Sequence, residues 1–289
     1  MNISRLRSHE APRLVEAPID PAGAEIALSA GQRAPALSVV VPVHDEQDNI
    51  GPLVEEIRAA LEGMSGGYEI VVVDDGSRDA TAEALRKVAR RGLVVVRHRT
   101  NCGQSAALFS GVRRARGGWI ATLDGDGQND PADIPRLWRF LGETGDPDLK
   151  MIAGNRKRRR DTWLKRASSR IANRVRGWLL GDRTPDTGCG LKLFERDAFL
   201  RLPHFDHFHR FLPALMQQQG GRVTSVEVTH RQRRSGRSHY GVNNRLWVGI
   251  VDIVGVLWLK RRSGRWHPSV VEITETDARA PRDNARGDE

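Results

Sequence analysis

Residues 37–75 read LSVVVPVHDEQDNIGPLVEEIRAALEGMSGGYEIVVVDD. Leu37–Val43 is a β-branched apolar run closed by polar residues, the pattern of a strand buried on both faces. Ile50–Leu61 carries Leu53, Ile57 and Leu61 at helical spacing, and Tyr68–Val73 is a second apolar strand that ends in Asp74 and Asp75. Further along, the spacing predicts a helix over Asp79–Arg90 with Ser77 or Asp79 as N-cap, then a strand at Leu93–Arg97 and a helix at Ser105–Arg116. A strand at Trp119–Leu123, a helix at Pro131–Leu141 with proline in its first turn, and a short strand at Met151–Ala153 follow. Strands alternating with helices across short connections predict an α/β domain: a mostly parallel sheet with helices on both faces. Ligands of such sheets bind beyond the carboxyl ends of the strands, so the polar clusters there are the place to look for chemistry.

The flanks have a different character. Residues 1–35 and 263–289 mix Pro, Gly, Ala and charge without a sustained period, and read as a disordered arm and tail around a folded domain, 36–243, and a further helix, 244–262. With 39% hydrophobic and 28% charged residues, the 289-residue chain is neither collagenous nor wholly disordered. It has no run of about 18 apolar residues such as a membrane span needs. The start, MNISRLRSHEAPRL, lacks the apolar core of a secretory signal. Its two cysteines, Cys102 and Cys189, form no CxxC pair and read as free thiols in a reducing cytoplasm. Forty-six Lys and Arg against 36 Asp and Glu leave a net charge of +10, which points to an anionic partner: nucleic acid, acidic lipid or a phosphorylated substrate.

Three polar clusters follow strands. They are Pro42-Val43-His44-Asp45-Glu46, Asp74-Asp75-Gly76-Ser77-Arg78-Asp79 and Asp124-Gly125-Asp126-Gly127-Gln128-Asn129-Asp130. Carboxylates gathered at one rim repel one another unless a cation or polar ligand lies between them. Mg²⁺ or Mn²⁺ prefers carboxylate and amide oxygens and commonly shares its sphere with substrate phosphates. Taken alone, DGDGQND also suits a plain turn, since Asp, Gly and Asn are turn formers. A calcium loop does not fit, because Asn129 stands where that loop needs Gly and Pro135 where it needs Glu.

SVVVPVHDEQDNI, EIVVVDDGSRDAT, NCGQSAALFSG and ATLDGDGQNDPADIP, in this order, resemble the successive signatures of family 2 glycosyltransferases, which have the GT-A (Rossmann-like) fold. The branch they look most like is that of the dolichol-phosphate mannosyltransferases, and the resemblance runs from about Leu37 to Tyr240. It implies transfer of a sugar from a nucleotide-sugar donor to a polyprenyl (dolichyl or undecaprenyl) phosphate, for cell-envelope glycan or glycolipid synthesis, with inversion at the anomeric carbon. Pro42, His44 and Glu46 would line the nucleotide pocket, and Val73 and Asp75 would hold base and ribose. Asp124, Gly125 and Asp126 would form the DxD-like element, with Asp124, Asp126 and Gln128 as the ligand set for Mg²⁺ or Mn²⁺ and Asp126 central to catalysis. Gly154-Asn155-Arg156 matches the family's G-S-R element, whose Arg faces the phosphates.

Arg156–Arg183 is the most basic part of the chain, and most of it reads as a solvated, nucleic-acid-binding or membrane-facing surface. Within it, the resemblance assigns Arg156, Arg166 and Ser169 to the acceptor phosphate, where a fork of donors is appropriate. Asp186-Thr187-Gly188-Cys189-Gly190 resembles the family's D-x-x-x-G turn, leading into LKLF. Residues 230–240, HRQRRSGRSHY, resemble its R-x-x-G-x-S-K-Y loop, a lid in which Arg233 would steady the leaving diphosphate. His239 stands where the family carries Lys, which makes that charge depend on pH.

A phosphate acceptor is already mostly ionised at pH 7 and needs no general base. Transfer to a sugar hydroxyl is the alternative, but the E/T-D and Q-x-x-R-W elements of polysaccharide synthases are missing. A nucleic-acid-binding role is remote, since no RNA- or DNA-reading motif is present. Leu246–Leu259 is too short to span a bilayer and has Asp252 at its middle; Trp and basic ends make it an amphipathic helix suited to a membrane surface or to a protein contact. The resulting expectation is a peripheral enzyme on the cytoplasmic face of the cell membrane.

Overall fold

The computed structural model describes residues 34–89, 92–156, 177, 179–182, 184–232 and 245–263. Seven strands form one sheet: β1 (Leu37–Val43), β2 (Tyr68–Asp74), β3 (Leu93–Arg97), β4 (Trp119–Thr122), β5 (Leu149–Asn155), β6 (Lys192–Glu195) and β7 (Arg222–Glu227). Their order across the sheet is β3-β2-β1-β4-β6-β5-β7. β1 pairs in parallel with β2 and β4, β2 with β3, and β5 with β7, whereas β6 runs antiparallel to both β4 and β5. The expected mostly parallel α/β sheet is therefore present, with one reversed strand inside it.

The strand period of two divides the core between two faces. Val39 and Val41 of β1 and Ile70 and Val72 of β2 pack with helices α1 (Ile50–Ala60) and α4 (Ile134–Thr144) on one side. On the other, Val40, Val71 and Val73 meet α3 (Gln104–Arg114), and Phe194 of β6 meets α5 (Arg196–Leu200) and α6 (Leu212–Gln218). A short helix α2 (Thr81–Lys87) completes the first face, and α7 (Arg245–Ser263) joins the second through Val256. α3 lies directly on the sheet. A Cβ on its Gly111 would stand 2.5 Å from Val40 Cγ1 and 3.0 Å from Val73 Cγ2, so only glycine lets the helix come this close.

Helix ends differ from expectation for local reasons. Asp79 Oδ1 accepts from Thr81 N at 2.9 Å and from Thr81 Oγ1 at 2.5 Å, which holds Asp79 in a turn and starts α2 two residues late. Pro131–Asp133 forms a 3₁₀ turn, and α4 proper begins at Ile134 and ends at Gly145 in the left-handed region (φ 58°). No helix among the described residues is long and apolar enough to cross a membrane.

Candidate active site

Six strands run one way, so the segments after β1, β2, β4, β5 and β7 emerge at one rim of the sheet. Because β6 runs the other way, the turn before it, Asp186–Gly190, arrives at that same rim. A cleft of about 700 Å³ opens there. Pro42, Val43, His44 and Glu46 line it from β1, Asp75 from β2, Asn101, Gly103, Gln104 and Ala107 from the start of α3, and Asp124, Gly125, Asp126 and Gln128 from β4.

The loops after β1 and β2 are stitched into one wall. Asp45 N donates to Ser77 Oγ (3.0 Å), Glu46 N to Thr81 Oγ1 (2.9 Å) and Gln47 N to Asp79 Oδ2 (3.1 Å), while Arg78 N donates back to Asp45 Oδ1 (2.7 Å). His44 Nδ1 donates to the Asp75 carbonyl at 2.8 Å, which fixes its tautomer and leaves Nε2 towards Asp45 at 3.4 Å. Asp74 is fully buried and serves the turn: it accepts from Ser77 N at 2.9 Å and pairs with Arg97 at 3.1 Å.

Asp75 is the hinge pin of the next loop. Its oxygens accept from Cys102 N (2.9 Å), Gly103 N (2.8 Å) and His98 Nδ1 (2.7 Å). In the neutral ring, His98 Nε2 then accepts from Ser110 Oγ at 2.9 Å. Asp75, His98 and Cys102 bring ligand atoms within 4.8 Å of one another, but these hydrogen bonds already account for the grouping. Cys102 is exposed and Cys189 buried, and both are free thiols.

The acidic loop is held from three sides. Gln104 Nε2 donates to Asp124 Oδ1 at 2.9 Å, Gln128 N to Asp126 Oδ1 at 3.1 Å, and Arg231 N to the Gln128 carbonyl at 2.9 Å. Arg231 also pairs with Glu56 (2.6 Å) and Asp130 (2.5 Å), so the segment leaving β7 is fastened beside this loop. Gly190 comes so close that a Cβ there would collide with the Asp124 carboxylate. Burial, and next the Asp126 carboxylate, push Asp124 above the usual carboxylate range, against the pull of Lys192 and Arg156. This repulsion, together with the all-oxygen donor set of Asp124, Asp126 and Gln128 in one cleft, fits a hard divalent cation.

Two expected site residues lie elsewhere. The Val73 side chain is in the core against α3 and does not line the cleft. Arg156 also does not line it; its guanidinium forks onto Asp186, Nε to Oδ2 at 2.7 Å and NH2 to Oδ1 at 2.9 Å, with both side chains about nine-tenths buried. Burial opposes that charge, yet the Asp186 hydrogen bonds and charge hold the Arg156 pKa above its usual value. Arg166, Ser169, Arg233 and His239 lie outside the described residues, as do the arm, 1–33, and the tail, 264–289.

Beneath the cleft sits a polar layer that motif reading missed. Lys192 on β6 is 6% exposed and donates to the Cys189 carbonyl. His209 Nδ1 is 2.8 Å from Ser105 Oγ, and burial, then Lys192, Arg210 and His207, lower its pKa to about 3. A lysine interrupting the apolar run Leu191–Phe194 was the signal available for the first. His209 carried none.

The glycosyl transferase family 2 profile matches residues 38–202. The chain belongs to this family. It is 38% identical over 235 residues to a dodecaprenyl-phosphate galacturonate synthase of Rhizobium johnstonii, covering 79% of this chain and 68% of that one. To an undecaprenyl-phosphate 4-deoxy-4-formamido-L-arabinose transferase of Edwardsiella ictaluri it is 35% identical over 209 residues, 71% of this chain and 63% of the relative. Among solved structures, a mannosyltransferase from Pyrobaculum calidifontis in complex with GDP-Man and Mn²⁺ superimposes with TM-score 0.54 at 23% identity, over 72% of this chain and 59% of that one. A glucosyl-3-phosphoglycerate synthase from Mycobacterium tuberculosis, with Mn²⁺, UDP and phosphoglyceric acid, gives 0.58 at 16% identity, over 78% of each chain. These two likenesses carry the GT-A fold.

Proposed function

We propose that this chain moves a sugar from a nucleotide-sugar donor to a polyprenyl phosphate, with inversion, in the synthesis of envelope glycans. The carrying observation is that Glu46, Asp75, Asp124 and Asp126, spread over eighty positions, line one cleft. The two relatives named for transfer to dodecaprenyl and undecaprenyl phosphate support the acceptor class.

In this reading His44, Glu46 and Asp75 hold the nucleoside, and Asp124, Asp126 and Gln128 hold Mg²⁺ or Mn²⁺, whose charge would offset that of the donor diphosphate. Arg233 and His239 follow Arg231 in the chain, and the family resemblance assigns them to the same diphosphate. The family resemblance assigns Arg166 and Ser169 to the acceptor phosphate, while Arg156, forked onto Asp186, holds the turn before β6 at the rim. An acceptor phosphate oxygen attacks the anomeric carbon from the face opposite the diphosphate; the new C–O bond forms as the sugar–diphosphate C–O bond breaks, and its electron pair leaves with the nucleotide. The acceptor oxygen has no proton to lose, so the site needs cations rather than a base.

Residues of α7 support a peripheral membrane position. Val251, Val254 and Trp258 are 67%, 60% and 62% exposed on one side, with Arg261 and Arg262 following. A stripe of this kind rests on the surface of an anionic bilayer, where the lipid acceptor is found.

The test is a panel of nucleotide sugars offered with undecaprenyl or dolichyl phosphate and Mg²⁺ or Mn²⁺, scored for glycolipid. One pairing is expected to give product, and Asp126→Ala to abolish it. Absence of product from every pairing, or unchanged turnover in Asp126→Ala, would overturn the reading.

A further inference from the structure

The loop after β3 closes on Asp75 with three kinds of donor atom. Asp75 Oδ1 accepts from the Cys102 N–H and from His98 Nδ1, and Oδ2 accepts from the Gly103 N–H. Those hydrogen bonds explain why the side chains meet. What they gather is a carboxylate oxygen, an imidazole nitrogen and a sulfur, all within 4.8 Å of one another. Such a mixed set suits Zn²⁺, whereas Mg²⁺ and Mn²⁺ prefer oxygens alone, as in the acidic loop.

Each of the three groups can turn to a cation at little loss. His98 must present Nδ1 as a lone pair, so its proton moves to Nε2. Ser110 Oγ lies 2.9 Å from Nε2, and a hydroxyl accepts as well as it donates, so the second tautomer keeps that hydrogen bond. Asp75 exchanges the His98 N–H for the cation and keeps the N–H groups of Cys102 and Gly103. Cys102 is exposed, and its sulfur makes a 3.4 Å contact to the Thr100 carbonyl; on binding metal the thiol releases its proton to solvent. The His98 and Asp75 side chains are 16% and 4% exposed, so two ligands are already held in place. Tetrahedral Zn²⁺ sets its ligand atoms roughly 3.5 Å apart, which asks mainly for rotation of the surface thiol and leaves a fourth position to solvent.

We propose that Asp75, His98 and Cys102 form a site for a thiophilic divalent cation of the Zn²⁺ class, separate from the acidic loop. Its effect rests on the donor-site reading above. Asp75 lines the cleft and in that reading holds the nucleoside, so a cation that takes its carboxylate opposes the nucleotide. Zn²⁺ here is an inhibitor, and the metal of the acidic loop is not.

The full chain is titrated with Co²⁺, whose thiolate charge-transfer absorbance reports sulfur ligation, with excess Mg²⁺ present to fill all-oxygen sites. One equivalent of sulfur-ligated Co²⁺ is expected, displaced by Zn²⁺. Cys102→Ser, a change at an exposed position, should abolish the band and weaken Zn²⁺ at least tenfold, while Asp126→Ala should keep both. UDP or GDP binding with Mg²⁺ should weaken at least fivefold when Zn²⁺ is added to the wild type. The same addition should change little in Cys102→Ser, which also controls for Zn²⁺ taken up by the nucleotide itself. An absent band, a band that survives Cys102→Ser, or Zn²⁺ binding that depends on Asp126 instead overturns the site. A band with no effect of Zn²⁺ on the nucleotide overturns its inhibitory role. If the wild type binds neither UDP nor GDP, the donor-site reading falls, and the band with its loss in Cys102→Ser still decides the cation site.

Discussion

At the scale of single residues, burial decides which groups stay charged. His209 is neutral in the fold because burial, Lys192, Arg210 and His207 all disfavour its proton, giving a pKa of about 3 against 6.5 in the open chain. Below pH 6.5 the unfolded chain binds a proton that the folded one refuses until about pH 3. Stability from this group is therefore complete above pH 6.5 and is lost as pH falls from there towards 3. Between pH 7 and 5 urea unfolding should show a loss on the order of 1–2 kcal/mol from this residue. His209→Gln, which keeps a partner for Ser105, should flatten that slope; an unchanged slope would mean that other groups set it. That Asp124 and Asp126 line the cleft was legible because Asp-x-Asp after an apolar strand is local information. His209 and Lys192 were not, since their meaning depends on which segments pack over them. Arg156 was seen as a cation, but its partner thirty residues away was not.

At the scale of elements, β-branched runs made β1 to β4 readable almost to the residue. The reversal of β6 was not readable, because KLFE carries no mark of direction; only its pairing with β4 and β5 sets it. α7 was read as amphipathic, and the structure supplies what periodicity could not: which side is taken. Ile253, Leu257 and Leu259 pack against the core, and Lys260 Nζ reaches the Leu180 carbonyl at 2.8 Å. His207 pairs with Asp252 at 3.4 Å, tying the helix to the loop that carries His209. The apolar residues that remain exposed are the ones available to lipid. Flotation with anionic vesicles should capture the wild-type chain, and Val251→Asp with Trp258→Asp should lower the bound fraction at least fivefold without changing the circular dichroism. Equal flotation of both proteins would remove α7 as the contact.

At the scale of the whole molecule, one antiparallel strand lets the turn Asp186–Gly190 share a rim with the acidic segments after β1, β2 and β4. The chain leaves the sheet after β5 at Arg156 and is back at Asp186 just before β6, and these two residues are the ion pair at the foot of the excursion. Removing one partner strands a buried charge, so Asp186→Ala should cost about 3–5 kcal/mol in chemical denaturation. The double variant with Arg156→Leu should recover much of that loss; additive losses would show that the two do not act as a pair.

That clasp brings Arg156 and Asp186 together at one rim of the sheet, although thirty positions part them in the chain. An insertion between them would therefore add only about 0.6 kcal/mol of closure entropy per doubling of the intervening length, for as long as the pair holds.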